Sequence, residues 1–153
     1  MNGSNPRSTA RFMGHPIHPM LVPFPIAFFI GAFLSDLAYL ARGDMFWATA
    51  AFWLLAGGLV GAALAAAAGL TDFLGDNRIR RLPDAWMHMI GNVAAVVLEA
   101  VNLYVRLDDA IAAVASPGVY LSGAVFLLLG FTGWKGGDLV YRHRVGIPEE
   151  SAP

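Results

Sequence analysis

Four long apolar stretches separated by short polar segments dominate the pattern along the chain. They run from about Met20 to Ala41, from Phe46 to Leu70, from Ala85 to Val105 and from Val119 to Trp134. Each is close to the roughly 20 residues that an α-helix needs to cross a hydrocarbon core of about 30 Å. Apolar and polar residues do not alternate within them, which favours helices over membrane β-strands. The pattern predicts an all-α protein, a four-helix transmembrane bundle.

The polar ends of the chain predict the domain boundaries. Residues 1–12 and 148–153 are polar and contain proline, serine or glycine, so we expect disordered tails there. Residues 13–147 then form a single membrane domain with four spans. No internal repeat is evident in the sequence.

Lysine and arginine are shared unequally between the two sides of the predicted membrane domain. With four spans, both termini and the connector 71–84 lie on one side, which carries eight of the ten basic residues. These eight are Arg7, Arg11, Arg78, Arg80, Arg81, Lys135, Arg142 and Arg144. The other side carries Arg42 and Arg106. Cytoplasmic loops are enriched in Lys and Arg, so we expect both termini on the cytoplasmic side.

Composition excludes several classes of protein. The chain is 57% hydrophobic and 14% charged, against about 45–50% and about 25% in soluble domains, so an ordinary soluble enzyme is excluded. A net charge of -1 gives no attraction to nucleic acid. The absence of cysteine excludes disulfides, thiolate zinc, cysteine-held iron–sulfur clusters and c-type haem attachment.

Polar residues inside the predicted spans fall on two helix faces. At about 100° per residue, one face of the third helix carries four of them: His88, Asn92, Glu99 and Asn102. On the first helix His18 and Asp36 are five turns apart. We therefore expect these two helices to face each other, with Asp36 and Glu99 buried in the non-cytoplasmic half and at least one of them protonated. Interhelical hydrogen bonding, a proton path and a polar pocket all remain open.

All four histidines fall near the predicted cytoplasmic interface. His15 and His18 lie three residues apart before the first helix, His88 opens the third, and His143 follows the fourth. Neutral imidazole is a ligand for Zn, Cu and Fe, and an axial ligand for haem. Asp72 is predicted nearby and could add an oxygen ligand.

Small residues follow one ridge of the second helix at four-residue spacing. The ridge consists of Gly57, Gly61, Ala65 and Gly69. Such ridges allow helix backbones to approach closely in lipid. The ridge could pack the second helix within its own bundle, or serve homodimerisation or docking to a larger complex.

The segment Gly14-His15-Pro16-Ile17-His18-Pro19 carries a family resemblance. The sequence resembles the bacterial membrane-protein family "domain of unknown function 2231" over about residues 12–147. The likeness also includes the run around Gly57-Gly58, Thr71-Asp72-Phe73 and the closing run Gly136 to Gly146. The resemblance implies a multi-pass protein of the bacterial inner membrane. Relatives fused to Rieske-type or cytochrome c domains imply membrane redox work.

Three functions follow from these patterns. The first is an electron-transfer subunit that binds haem b through His18 and His88, with His15, His143 and Asn92 as spare ligands or supporting contacts. The second is a non-haem Zn, Cu or Fe site built from His15, His18, His88, His143 or Asp72.

The third function is a cofactor-free accessory subunit of a larger membrane complex. No hydrolase, P-loop or Rossmann motif occurs, so no catalytic residue is predicted. The expected partners are the lipid bilayer and, for either subunit role, other membrane subunits, redox proteins or a second copy of the chain.

Overall fold

All four apolar stretches are helical in the computed structural model, which describes residues 5–148. A short antiparallel pair, β1 (Arg11–Phe12) and β2 (His15–Pro16), precedes the first span, which consists of α1 (Ile17–Leu21) and α2 (Pro23–Arg42). The second span is α3 (Met45–Gly75), and after α4 (Asn77–Arg80) the third span is α5 (Pro83–Val105). The fourth span consists of α6 (Ala110–Ala113), a π-helical turn (Val114–Gly118) and α7 (Val119–Tyr141).

The length and composition of these helices confirm the predicted fold class. The four spans have mean hydropathies of 1.9, 1.9, 1.4 and 1.8, so each can cross a bilayer. The helices continue beyond the apolar stretches: α3 ends at Gly75 rather than Leu70, and α7 at Tyr141 rather than Trp134. Hydropathy marks only the part of a helix that lies in hydrocarbon, whereas backbone hydrogen bonding continues into the polar interface.

Local sequence explains the tight connection between the first two spans. Gly43 adopts a left-handed conformation with φ 68° and ends α2, while the Asp44 carboxylate accepts the N–H of Phe46 and caps α3. Glycine reaches positive φ without a Cβ clash, and aspartate is among the best N-cap residues. The two helices therefore reverse direction within two residues and form an antiparallel hairpin.

The four spans pack in a ring around an apolar core. Helices α2 and α3 form the first hairpin, α5 and α7 form the second, and each hairpin packs across to the other through α2–α7 and α3–α5. The first and third spans thus lie on one diagonal. Phe29, Leu55, Val125 and Leu129 lie in the core between the four spans.

The two hairpins bury matching positions, although their residue types differ. Between the first and third spans the buried pairs are 70 residues apart: Pro25 and Ala95, Phe29 and Glu99, Ala32 and Asn102, Asp36 and Arg106. Between the second and fourth spans they are 67 residues apart: Ala51 and Gly118, Leu55 and Ser122, Gly58 and Val125, Ala62 and Leu129, Ala65 and Thr132. The hairpins are therefore a structural repeat that the sequence does not reveal, because burial recurs while side-chain chemistry does not.

Equivalent positions of the repeat meet each other at both ends of the bundle. His18 lies against His88, and Asp36 forms an ion pair with Arg106. Contacts between equivalent residues occur where an approximate two-fold axis passes between two repeats. We therefore describe the domain as two helical hairpins related by an approximate two-fold axis along the bundle.

The small-residue ridge of α3 packs within the chain. A Cβ added at Gly57 would lie 3.3 Å from the Phe28 ring, and one added at Gly61 would lie 3.3 Å from Pro25. The ridge thus supports the close approach of α2 and α3. Packing within its own bundle is one of the roles expected from its sequence.

The N-terminal segment from residue 5 onward makes specific contacts, although it falls within the predicted tail 1–12. The Asp72 carboxylate accepts the backbone N–H groups of Thr9 and Ala10 at 2.7 Å each. The Asp76 carboxylate accepts the N–H of Arg7 at 2.8 Å. These contacts hold the segment against the end of α3. Residues 1–4, and residues 149–153 of the predicted C-terminal tail, lie outside the described residues.

Candidate functional site

Two of the four histidines meet across the diagonal of the bundle. His18 lies in α1 and His88 in α5, and their ring centroids are 6.1 Å apart with the ring planes at 89°. They occupy equivalent positions of the two hairpins. The pair therefore lies on the approximate two-fold axis, at the end of the bundle predicted to be cytoplasmic.

Each of these imidazoles is fixed in the same way by the other helix of its own hairpin. His18 Nδ1 is 2.8 Å from the carbonyl oxygen of Ala65, and His88 Nδ1 is 2.9 Å from that of Thr132. A carbonyl can only accept, so Nδ1 carries a proton in both rings, and in the neutral form of either ring Nε2 keeps its lone pair.

A glycine four residues after each carbonyl makes room for the ring. A Cβ added at Gly69 would lie 2.8 Å from His18 Nδ1, and one added at Gly136 would lie 3.0 Å from His88 Cε1. A side chain at Gly69 would require the His18 ring to move, and one at Gly136 would press on the His88 ring, so the imidazoles pack directly on helix backbone. The imidazole therefore packs on the neighbouring helix in the same way in both hairpins.

Asn92 lies one turn after His88 on the same face of α5. Its Nδ2 donates to the His88 carbonyl oxygen at 2.7 Å and lies 3.3 Å and 3.4 Å from His88 Nδ1 and Nε2. Nearly equal distances to both ring nitrogens show that the amide does not point along the lone pair of either one. Asn92 therefore limits the orientation of the ring, with its shortest hydrogen bond to the His88 carbonyl oxygen and a longer contact of 3.4 Å to Nε2.

The other candidate ligands do not join the pair. His143 Nε2 is 2.8 Å from Asp84 Oδ2, His15 is an exposed residue of β2, and Asp72 is occupied by the N-terminal segment. Within residues 5–148 no three histidine, aspartate or glutamate side chains are grouped so that they could hold a metal ion. Of the five predicted ligands, the structure brings only His18 and His88 together, because His143 and Asp72 are engaged in other contacts and His15 is exposed in β2.

Two surface cavities lie away from the histidine pair. One, of about 280 Å³, is lined by Arg7, Arg11, Gly14 and Gly146, among others. The other is an apolar groove between α5 and α7 that faces outward. Neither cavity is lined by His18 or His88.

A second group of polar residues lies at the opposite end of the bundle. Arg106 binds Asp36 through both terminal nitrogens, at 2.8 Å and 2.7 Å, and the side chains of both residues are 0% exposed. A Cβ added at Gly118 would lie 2.7 Å from Arg106 Nη2. Glycine at position 118 thus leaves room for the guanidinium.

Asn102 and Ser122 connect this ion pair to Glu99. The Asn102 amide accepts Arg106 Nε at 3.0 Å and donates to Ser122 Oγ at 2.8 Å and to Glu99 Oε2 at 2.9 Å. Ser122 in turn donates to Asp36 Oδ2 at 2.8 Å. We call Asp36, Glu99, Asn102, Arg106 and Ser122 the buried polar network.

Sequence reasoning missed Arg106 and Ser122. Arg106 continues the polar face of α5, since it lies one turn after Asn102 and two turns after Glu99, but its position beyond the apolar stretch assigned it to a loop. Ser122 gives no such signal, because it is an isolated serine in an apolar helix. Only the fold shows that it faces Asp36.

These features define a multi-pass helical membrane protein with four apolar spans and two interior polar sites. The chain belongs to the family described as predicted membrane proteins (DUF2231), whose model matches residues 14–149. No curated protein and no solved structure matches the chain.

Proposed function

We propose that the protein is a membrane electron-transfer subunit in which His18 and His88 bind one metal centre between them. The observation that carries this proposal is the 6.1 Å separation of the two ring centroids. A metal–imidazole bond is about 2 Å long, so one metal ion held between two imidazoles places the ring centroids about 6 Å apart. The donor set is two neutral nitrogens, which suits haem iron and copper.

The hydrogen bonds of the pair also support this function. Imidazoles that bind metals usually donate their other ring N–H to a carbonyl or carboxylate, which fixes the tautomer and orients the ring. His18 and His88 both do so, through Nδ1, to Ala65 and Thr132. A role limited to joining helices would explain the hydrogen bond that Nδ1 makes in both rings. It would not explain why two imidazoles from equivalent positions are brought within 6.1 Å of each other.

The identity of the metal centre divides the proposal into two arms. Haem b would supply an iron that exchanges one electron, and His18 and His88 would be the residues that hold it. A single copper ion needs less space, and Gly69, Gly136 and Ala65 leave little room next to the imidazoles. In both arms the protein residues have the same task, which is to hold the metal between the first and third spans.

The test is a comparison of detergent-purified wild type with three variants. We expect His18→Ala and His88→Ala each to lose at least tenfold in bound metal, measured by elemental analysis and by a visible spectrum. His15→Ala is the matched control, because His15 is exposed in β2 and should leave both readouts unchanged. A Soret band in wild type identifies the haem arm, and copper without a Soret band identifies the other arm.

Two results would contradict the proposed function. One is wild-type protein, expressed with haem precursor and copper supplied, that carries neither metal. The other is metal content that His18→Ala and His88→Ala leave unchanged while circular dichroism shows an intact helical fold.

A further inference from the structure

Glu99 is a buried polar side chain with one oxygen that has no hydrogen-bond partner. It is 0% exposed, and its Oε1 is the single buried side-chain nitrogen or oxygen between residues 5 and 148 without a hydrogen-bond partner. The hydrogen bonds of the neighbouring donors go to other atoms. Asn102 gives one amide hydrogen to Glu99 Oε2 and the other to Ser122, and the Arg106 guanidinium directs its hydrogen bonds to Asp36 and Asn102.

The charges of the buried polar network do not balance if both acids are ionised. The network contains two carboxyl groups, Asp36 and Glu99, and one cation, Arg106. The guanidinium faces Asp36 with both terminal nitrogens, whereas Glu99 receives only a neutral amide. Leaving a buried charge without a counter-ion costs several kcal/mol. One further positive charge at Glu99 makes the network neutral.

The first hairpin shows that packing does not require an acid at this position. The residue equivalent to Glu99 is Phe29, and those equivalent to Asn102 and Ser122 are Ala32 and Leu55. These apolar residues fill the corresponding interior of the first hairpin and are themselves buried. Since the same helical arrangement accepts an apolar set, the polar set of the second hairpin has a role beyond filling space.

We propose that Glu99 is a proton-binding site inside the membrane domain, with the proton carried on Oε1. In the protonated form Oε2 still accepts the Asn102 amide, so no hydrogen bond of the network is lost. The titratable and charged groups that face Glu99 are Asp36 from the first span and Arg106 at the end of the third. Asn102 and Ser122, from the third and fourth spans, are the polar groups between them.

Proton binding at Glu99 controls the ion pair between the first and third spans. Loss of the proton creates a second buried carboxylate that competes with Asp36 for Arg106, and Asn102 connects the two sites directly. The protonated state therefore keeps Arg106 on Asp36. This proposal does not depend on a metal at the histidine pair, which lies at the opposite end of the bundle.

Infrared spectroscopy of the full chain in detergent at neutral pH tests the charge state. We expect a protonated-carboxyl C=O band in wild type that Glu99→Gln removes and Glu99→Asp retains at a shifted position. Asp108→Asn is the control, because Asp108 is an exposed acid outside the buried polar network and its loss should leave the band unchanged.

Thermal unfolding as a function of pH tests whether the proton is bound only in the folded state. Above about pH 4.3, the ordinary pKa of glutamate, the unfolded chain has released the proton that the folded chain retains. The stability of wild type relative to Glu99→Gln should therefore fall as pH rises, by up to tenfold in the folded-to-unfolded ratio per pH unit. Glutamine is neutral at every pH and supplies the reference.

Three outcomes would overturn the proposal. The first is wild type without a protonated-carboxyl band. The second is a stability difference between wild type and Glu99→Gln that does not change with pH. The third is destabilisation by Glu99→Gln at neutral pH as large as that caused by Asp36→Asn, which would show that an ionised Glu99 is needed. If Glu99→Gln fails to fold, the wild-type band and its shift in Glu99→Asp decide the question.

Discussion

Gly69 and Gly136 determine where the rings of His18 and His88 can lie. At Gly69 an added Cβ would lie 2.8 Å from His18 Nδ1, whereas nothing lies within 4 Å of a Cβ added at Gly137. We expect Gly69→Ala to displace the His18 ring from the Ala65 carbonyl and to destabilise the fold by about 1–3 kcal/mol, the usual cost of overpacking. Gly137→Ala, on a helix of the same kind, should be neutral or slightly stabilising.

Thermal unfolding of the two glycine variants in detergent measures this difference. Equal melting temperatures would show that the His18 ring can move away from α3 without cost. The metal content of Gly69→Ala gives a second measurement, because a displaced His18 should bind the proposed metal centre less well even where the helices remain folded.

Much of the interior chemistry could be predicted at the scale of residues. Helical periodicity alone places His88, Asn92, Glu99 and Asn102 on one face of α5, and the same count extended by one turn reaches Arg106. What periodicity cannot supply is the partner on another helix. Ser122 and the carbonyl oxygens of Ala65 and Thr132 carry no sequence signal, because any residue has a carbonyl and one serine in an apolar helix is unremarkable.

Helix packing gives a prediction at the scale of elements. Gly61 faces Pro25 across the α2–α3 contact, whereas Gly133 in α7 has no neighbour within 4 Å of an added Cβ. Gly61→Ile should force the first hairpin apart and reduce the yield of folded protein, because small residues allow the close approach. Gly133→Ile adds the same side chain to the outer surface and should leave yield and melting temperature unchanged.

Size-exclusion elution and thermal unfolding of both isoleucine variants provide the measurement. Similar behaviour of Gly61→Ile and wild type would mean that α2 and α3 can separate without loss of the bundle.

The N-terminal segment has a pH dependence of its own. The hydrogen-bonded Arg78 side chain lowers the pKa of Asp76 below its ordinary value, with further contributions from the backbone N–H groups of Arg7 and Arg78. A carboxylate with a lowered folded-state pKa stabilises the fold above its unfolded pKa, about 3.9, and that stabilisation is lost as pH falls through the folded-state value. The contact between Asp76 and Arg7 should therefore persist at about pH 4.

Hydrogen–deuterium exchange of the Arg7 amide, corrected for the intrinsic effect of pH, measures this contact. Protection in wild type should persist down to about pH 4 and decrease at lower pH. Asp76→Asn should reduce protection at every pH, since it removes the charge that holds both Arg78 and the segment. Protection in the variant equal to that in wild type would show that other contacts hold the segment.

At the scale of the whole molecule, the ion pair on the two-fold axis gives a charge-exchange prediction. Asp36→Arg or Arg106→Asp alone places two like charges in the interior and should destabilise the fold by at least about 3–5 kcal/mol, the cost of breaking a buried pair. The double exchange, Asp36→Arg with Arg106→Asp, should recover part of this loss, because the two positions are equivalent about the axis. Recovery remains partial because Asn102 and Ser122 are placed to hydrogen-bond Arg106 and Asp36 in their native positions.

Melting temperatures of the two single variants and the double variant form a double-mutant cycle. A double variant no more stable than the worse single variant would contradict the equivalence of the two positions.

The four spans themselves are predictable from hydropathy, because lipid requires long apolar helices with internally satisfied backbones. The relation between the two hairpins cannot be predicted from hydropathy. It is a repeat of buried positions, and burial is a property of the packed bundle that many different residues satisfy. Phe29 and Glu99 occupy equivalent places and share no chemistry, so comparison of residue types does not detect the repeat.

The Asp36–Arg106 pair also decides which hairpins can recognise each other. Two copies of the first hairpin would bring Asp36 against Asp36 at the axis, and two copies of the second would bring Arg106 against Arg106. Two copies of the same hairpin therefore repel each other at this position, whereas the two different hairpins attract each other. Residues 1–80 and 81–153, produced as separate polypeptides, should assemble as a mixed pair and not as two matched pairs, because one opposite-charge contact determines which hairpins associate.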